Sequence, residues 1–93
     1  MTDQQIEKTV SRILAERVPD AGFRGAEVRS DIDFDGESII RVTARYDHRP
    51  AREDALIDVV HALRSELMKQ GEERFVFLTN EIESERQHQM DLD

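Results

Sequence analysis

The sequence predicts an α+β domain with the element order αββαβ, in which two helices cover one face of a three-stranded mixed sheet. Two observations support this prediction. Apolar and polar residues alternate along residues 26–46, as in a hairpin with one buried face. Segments before and after this hairpin repeat apolar residues every three or four positions, which is typical of amphipathic helices.

The first helix begins near Thr2, which forms a capping-box pattern with Gln5. Its apolar stripe comprises Ile6, Val10, Ile13 and Leu14. Because Pro19 disfavours helical geometry at the residue before it, the helix should end near Arg17. Residues 20–25 then form a flexible connection to the hairpin.

The register of the hairpin depends on the length of its turn. A loop of residues 35–37 sets Asp31 opposite Arg41, and in the same register Glu27 faces Arg45. A loop longer by two residues instead sets Arg29 opposite Arg45. Since opposite charges attract across a strand pair, we expect the shorter loop.

The second helix is predicted to open at Pro50 and to be capped by Gly71. Its apolar stripe comprises Leu56, Val59, Val60, Leu63 and Leu67. Residues 74–82 predict a third strand with bulky side chains on both faces. A right-handed crossover through the helix favours a third strand parallel to the second, either beside it or across the first strand. Of these two we expect the sheet order 2-1-3.

Length and charge restrict the function. The 93 residues predict one domain, residues 1–82, and a polar tail, residues 83–93. A formal net charge of −8 disfavours nucleic acid and anionic membranes as partners. The chain has no cysteine, which excludes thiol chemistry and disulfides. Without a secretory start or a long apolar run, we expect a cytoplasmic protein outside the membrane.

Motifs for catalysis and for calcium binding are missing or incomplete. The sequence contains no P-loop, no dinucleotide-binding glycine pattern and no serine with a recognisable base, so we expect neither an enzyme nor a cofactor. Residues 31–36 copy the start of an EF-hand calcium loop, but Val42 stands where the loop needs a bidentate Glu. The alternation of a strand explains the same carboxylates without an ion.

A divalent metal site is the alternative hypothesis. Asp54, Asp58 and His61 fall on one stripe of the second helix, as oxygen and nitrogen ligands would. His48 and His88 are the remaining histidines, and the spacing locates no fourth ligand. Solvated acidic helix faces are common, so we expect no bound metal.

The third strand is the best indication of a binding surface. When helices cover only one face of a sheet, every second side chain of residues 75–78 is buried beneath them. The remaining apolar side chains need another cover. If one face of the strand is buried, Phe75 and Phe77 point outward. If the other face is buried, Val76, Leu78 and Ile82 point outward. The alternative cover is the C-terminal segment, through Met90 and Leu92. We predict a protein interface that comprises Phe75, Val76, Phe77, Leu78, Ile39 and Ile82.

The leading hypothesis is therefore a non-enzymatic protein-protein interaction module. It self-associates as a homodimer, or masks another protein, through the open face of the sheet. Its acidic side chains would steer a basic partner.

The order αββαβ also resembles two known families. Residues 6–14, 26–29 and 36–46, with the acidic start at residues 53–55, are similar to the C-terminal domain of cation diffusion facilitators. That resemblance implies a dimeric metal-sensing domain. Residues 26–29, 63–67 and 74–76 are similar to ribosome-binding factor A, which implies a KH-like ribosome- or RNA-associated factor.

Two short segments add to these resemblances. Residues 22–25 carry the letters of a KH-type GxxG clamp, although that clamp joins two helices and this one leads into a strand. Residues 71–75 are similar to a segment of short bacterial proteins without an established activity.

Overall fold

The computed structural model describes residues 1–85 and confirms the α+β class. Its main elements are α1 (Asp3–Arg17), β1 (Phe23–Ile32), β2 (Ser38–Tyr46), α2 (Ala55–Lys69) and β3 (Phe75–Ile82). A single 3-10 turn, Pro19–Ala21, joins α1 to β1. The two helices and the mixed sheet enclose one apolar core. Within this part of the chain, no helix has the length and apolar character needed to cross a membrane.

The strand order is β1-β2-β3, so the expected order 2-1-3 is wrong. The third strand is parallel to the second, as predicted, but it lies beside it rather than across β1. The central position of β2 matches its side chains, because Ile40, Val42, Ala44 and Tyr46 are all buried on the helix side. On β1 the corresponding residues Ala26 and Val28 are only half-buried. Both β1 and β3 are therefore edge strands of this sheet.

The hairpin turn is two residues longer than predicted, because the side chain of Asp33 stabilises it. Asp33 Oδ1 accepts hydrogen bonds from the backbone N–H groups of Asp35 and Glu37, at 3.0 and 2.9 Å. The Asp33 N–H in turn donates to the Glu37 carbonyl at 2.9 Å. These bonds hold residues 33–37 together as one turn.

The longer turn changes which charges meet. Arg29 lies opposite Arg41, so the expected pairing of Asp31 with Arg41 across the strands is wrong. Opposite charges nevertheless meet diagonally: Arg41 Nε lies 2.6 Å from Asp31 Oδ2, and Arg45 Nη1 lies 3.2 Å from Glu27 Oε1. Because long arginine side chains reach the diagonal neighbour, opposite charges still pair across the strands in the observed register.

Helix α1 follows the prediction. Thr2 and Gln5 form the reciprocal capping box, with N–H to oxygen distances of 2.9 and 3.2 Å. The helix ends at Arg17, where Pro19 was expected to end it.

Helix α2 begins later than predicted, at Ala55 rather than at Pro50. The segment after Pro50 is held outside the helix because the Ala51 N–H donates to Asp20 Oδ2 at 2.8 Å. At the other end Gly71 has φ +95° and follows the last helical turn, as predicted.

The bonds at the end of α2 form a Schellman motif. The Glu72 N–H donates to the Leu67 carbonyl at 2.9 Å, and the Gly71 N–H donates to Met68 at 3.1 Å. This cap turns the chain directly into β3.

The predicted stripe of α2 is only partly buried. Val59, Leu63 and Leu67 are at most 1% exposed and fill the core. Leu56 and Val60 are half-buried, because they lie toward the free edge of β3. The rotation of α2 therefore leaves part of its apolar stripe beside that edge.

Candidate functional site

The side chains of β3 separate onto two faces. Val76 and Ile82 are 2% and 6% exposed and belong to the core, whereas Phe75 and Phe77 are 50% and 43% exposed on the open face. The structure thus selects the phase that turns the aromatic rings outward. Val76 and Ile82 were predicted to belong to the interface. They are core residues instead, and their side chains are not available to a partner.

The open face offers fewer apolar side chains than the sequence predicted. Ile39 is 2% exposed, although it is out of phase with the core residues of β2 and lies in register with Phe75. It therefore offers almost no surface for binding. Phe75 and Phe77 pack edge to face, with ring centroids 4.9 Å apart, and they form the aromatic end of this face.

The free edge of β3 and helix α2 flank a groove, which we call the edge groove. It is lined by Leu56, Ile57, Val60, Arg64, Phe75, Phe77, Leu78 and Asn80. Ile57 is 61% exposed, and Leu78 is half-buried. Arg64 is the single charged residue of this lining. The edge groove is therefore an apolar strip along the edge of β3 that has no neighbouring strand within residues 1–85.

Arg64 covers one end of this strip. Its Nε and Nη2 atoms donate to the Val76 carbonyl at 3.3 and 3.0 Å. Its guanidinium carbon also lies 4.2 Å from the centroid of the Phe75 ring, a cation–π contact. Arg64 thus satisfies one backbone carbonyl of the free edge and holds one of the two exposed rings in place.

Two buried side-chain polar atoms of residues 1–85 lack a hydrogen-bond partner, Tyr46 Oη and Asn80 Oδ1. Burial raises the pKa of Tyr46 to about 12, because the low-polarity core disfavours the phenolate. An unpaired buried polar group costs roughly 1–3 kcal/mol. Asn80 lines the edge groove, but its Oδ1 atom is buried and is not open to a docked chain.

Ion pairs neutralise the rest of the open face. Arg45 bridges Glu27 and Glu81, at 3.2 Å from each, and the hydrogen bond with Glu27 raises its pKa. The Arg41 guanidinium carbon lies 5.7 Å from the centroid of the Phe77 ring. Because its hydrogen bond stabilises the carboxylate, Arg41 also lowers the pKa of Asp31.

The predicted metal stripe is occupied by an internal cation. Arg52 Nε lies 2.8 Å from Asp54 Oδ1, and the same guanidinium pairs with Asp58. Across residues 1–85, no three His, Asp or Glu side chains converge as ligands would, so His61 does not join the two aspartates in a site.

His48 does not extend this stripe into a site within residues 1–85. His48 Nδ1 lies 3.3 Å from the Arg49 carbonyl. His88 lies outside the described residues, as do Met90 and Leu92.

The two loop motifs also have structural explanations. In residues 31–36, Asp31 binds Arg41 and Asp33 binds the turn, so their carboxylates do not converge on an ion. Gly22 has φ +67° at the entry to β1, where a Cβ atom would lie 2.7 Å from Asp47 Oδ2. A small residue with a left-handed backbone is needed there for packing.

The sequence reasoning missed a polar cluster around the buried carboxylate of Glu72. Glu72 is 7% exposed, and Arg74 Nε donates to its Oε2 at 2.9 Å. This hydrogen bond stabilises the carboxylate and lowers the pKa of Glu72 to about 2. Arg74 Nη1 also donates to Ser30 Oγ, which donates to Asp3 Oδ1. The cluster joins the starts of α1 and β3 to β1. Its signal in the sequence was the charged pair Glu72 and Arg74, directly after the glycine cap Gly71.

Comparisons with models of protein families, with curated proteins and with solved structures found no match. The resemblances to cation diffusion facilitators and to ribosome-binding factor A stay predictions. Function is therefore argued from the geometry of the site alone.

Proposed function

We propose that this chain is a non-enzymatic protein-interaction module that self-associates through the edge groove and the aromatic end of the open face. One observation carries the proposal. The unpaired edge of β3 coincides with an exposed apolar strip, in which Phe75, Phe77 and Ile57 are each 43% to 61% exposed. Exposed apolar surface beside a free strand edge is typical of a docking surface.

The charge of the edge groove is compatible with a second copy as the occupant. The chain carries a formal net charge of −8, so two copies repel each other over most of their surface. The edge groove has no carboxylate in its lining, and the nearby Glu81 is held by Arg45. Two copies that meet here avoid placing unpaired carboxylates together.

The same lining supports the non-enzymatic part of the proposal. Its side chains are apolar except for Asn80 and Arg64, and Arg64 is already bound to Val76. Acid-base or nucleophilic catalysis needs a positioned His, carboxylate, Lys, Ser or Cys. None of these residue types lines the edge groove. The groove is suited to binding rather than to catalysis.

The experiment compares two substitutions of phenylalanine by sedimentation velocity over a range of protein concentrations. Phe77→Lys places a charge in the edge groove, whereas Phe34→Lys makes the same change in the hairpin turn, where Phe34 is 98% exposed. We expect the unmodified protein and Phe34→Lys to dimerise. Phe77→Lys should be monomeric with an unchanged circular dichroism spectrum.

Two results would overturn the proposal. One is a monomer for the unmodified protein at high micromolar concentration, which would leave a foreign partner or the C-terminal tail as the occupant. The other is equal dissociation of both lysine variants, which would show that added charge, and not the edge groove, controls association.

A further inference from the structure

The side chain of Arg64 passes around the free edge of β3. Its backbone belongs to α2 on the helix side of the sheet, whereas its guanidinium carbon lies 4.2 Å from the centroid of the Phe75 ring on the open face. A side chain that joins the two faces in this way has to cross the edge of the strand. The Val76 carbonyl that accepts its hydrogen bonds therefore points to the free edge and away from β2.

This contact occupies both features that a partner would use at the start of β3. Strand addition needs the backbone carbonyls of the free edge as acceptors. The Val76 carbonyl already accepts hydrogen bonds from Arg64 Nε and Nη2, at 3.3 and 3.0 Å. The guanidinium also covers the Phe75 ring, which reduces the apolar surface that a partner could bury there. One side chain thus blocks the backbone and the ring together.

The farther part of the edge is not blocked in this way. In a strand the N–H and C=O groups of one residue point to the same side, and the side alternates along the chain. Leu78 and Asn80 therefore present their backbone groups to the free edge, as Val76 does. Within residues 1–85, Arg64 is the only side chain that donates a hydrogen bond to a β3 carbonyl.

Arg64 differs from the arginines of the open face and of the Glu72 cluster. Arg41, Arg45 and Arg74 each bind a carboxylate. Within residues 1–85 no carboxylate forms an ion pair with Arg64, although the chain has 21 Asp and Glu residues. Its guanidinium is held by the strand edge and the ring alone.

We propose that Arg64 is an autoinhibitory gate over the edge groove. It closes the start of the β3 edge in the monomer, and a second copy has to displace it before it can pair with Val76 or bury the Phe75 ring. The bonds of Arg64 are then lost on docking, which weakens the dimer and keeps its formation reversible. The inference rests on the proposed function and adds its regulation.

Arg64→Ala removes the gate and leaves the rest of the groove in place. Because a hydrogen bond from a charged donor is strong, we expect this variant to dimerise at an about tenfold lower protein concentration than the unmodified protein in sedimentation velocity. Arg12→Ala is the matched control, since Arg12 pairs with Glu16 and Glu66 and does not line the edge groove. Both variants lose one positive charge, which by itself weakens the association of an acidic chain. The gain should therefore be confined to Arg64→Ala.

Two further variants tie the gain to the gate. Arg64→Lys keeps the charge but cannot reproduce the planar, two-donor contact, so its dimer should lie between those of the unmodified protein and Arg64→Ala. Phe77→Lys added to Arg64→Ala should abolish the dimer, because it places a charge in the groove that the gate uncovers. Circular dichroism checks that each variant keeps the fold.

The outcomes separate the gate from the proposed function. A tighter dimer for Arg64→Ala that the added Phe77→Lys abolishes supports the gate. A dimer of the unmodified protein that Arg64→Ala leaves unchanged or weakens overturns the gate and leaves self-association standing, and so does a gain that persists with Phe77→Lys. A monomer for the unmodified protein with a dimer for Arg64→Ala supports the gate and overturns self-association of the unmodified chain. Monomers throughout overturn both.

Discussion

Replacing Leu63 by Ala removes a fully buried side chain at the centre of α2, where it packs in the single core between helices and sheet. The expected loss combines the transfer free energy of the removed carbon atoms with the cost of the cavity that they leave. Since Leu63 is 0% exposed and regular elements on both sides limit collapse, we expect a loss of about 3 to 4 kcal/mol. A domain of this size has a stability of roughly 5 to 14 kcal/mol, so the variant should still fold.

Urea denaturation followed by circular dichroism measures this loss at a fixed protein concentration, because association shifts the apparent stability. Met68→Ala is the matched control. It lies on the same helix and is 69% exposed, so its substitution should change the free energy of unfolding by less than about 0.5 kcal/mol. A loss below about 1 kcal/mol for Leu63→Ala, or equal losses for both variants, would refute the placement of the core.

Two further predictions concern buried polar groups. The folded-state pKa of Glu72, lowered from 4.5 to about 2, means that its contribution to stability is fully present above pH 4.5 and is lost as the pH falls toward 2. Glu72→Gln should therefore lower the free energy of unfolding by up to about 3 kcal/mol at pH 7. Between pH 4.5 and 2 the free energy of unfolding of this variant should depend less on pH than that of the unmodified protein. Parallel pH profiles for the variant and the unmodified protein would contradict this. Tyr46→Phe removes a buried hydroxyl without a partner, so we expect thermal unfolding at an equal or higher temperature, and a loss above about 1 kcal/mol would indicate a hydrogen bond that the hydroxyl makes.

Local signals in the sequence predicted the elements well. Thr2 with Gln5 marked the start of α1, Pro19 marked its end, and Gly71 marked the end of α2, because each acts on backbone groups within a few residues. The start of α2 was misplaced, since the hydrogen bond from Ala51 to Asp20 joins residues far apart in the chain.

Predictions that depended on long-range choices were less successful. Both strand orders bury the same faces of the same strands, so the alternation of residues 26–46 contains no preference between them. The phase of β3 was open for a similar reason, because Phe75 and Val76 are both apolar. The register failed at Asp33, whose side chain stabilises a longer turn at the expense of directly opposed charges.

The candidate site was predicted in part. The sequence identified β3 as the apolar surface, because a strand in a two-layer domain buries only one of its two faces, but it left open whether the phenylalanines or their neighbours face outward. It did not indicate the contribution of α2 to the edge groove. Leu56 and Ile57 reach that groove through the rotation of the helix, which packing determines.

The two edges of the sheet differ in a way that limits the size of an assembly. Near its start β1 has a register irregularity between Phe23 and Gly25, and its exposed side chains include Glu27 and Arg29. Bulges and charges of this kind discourage strand addition. Pairing through β3 would consume the apolar edge of both chains and leave only β1 at the outer margins. The complex would then close at two chains, and the sheet would not continue into a filament.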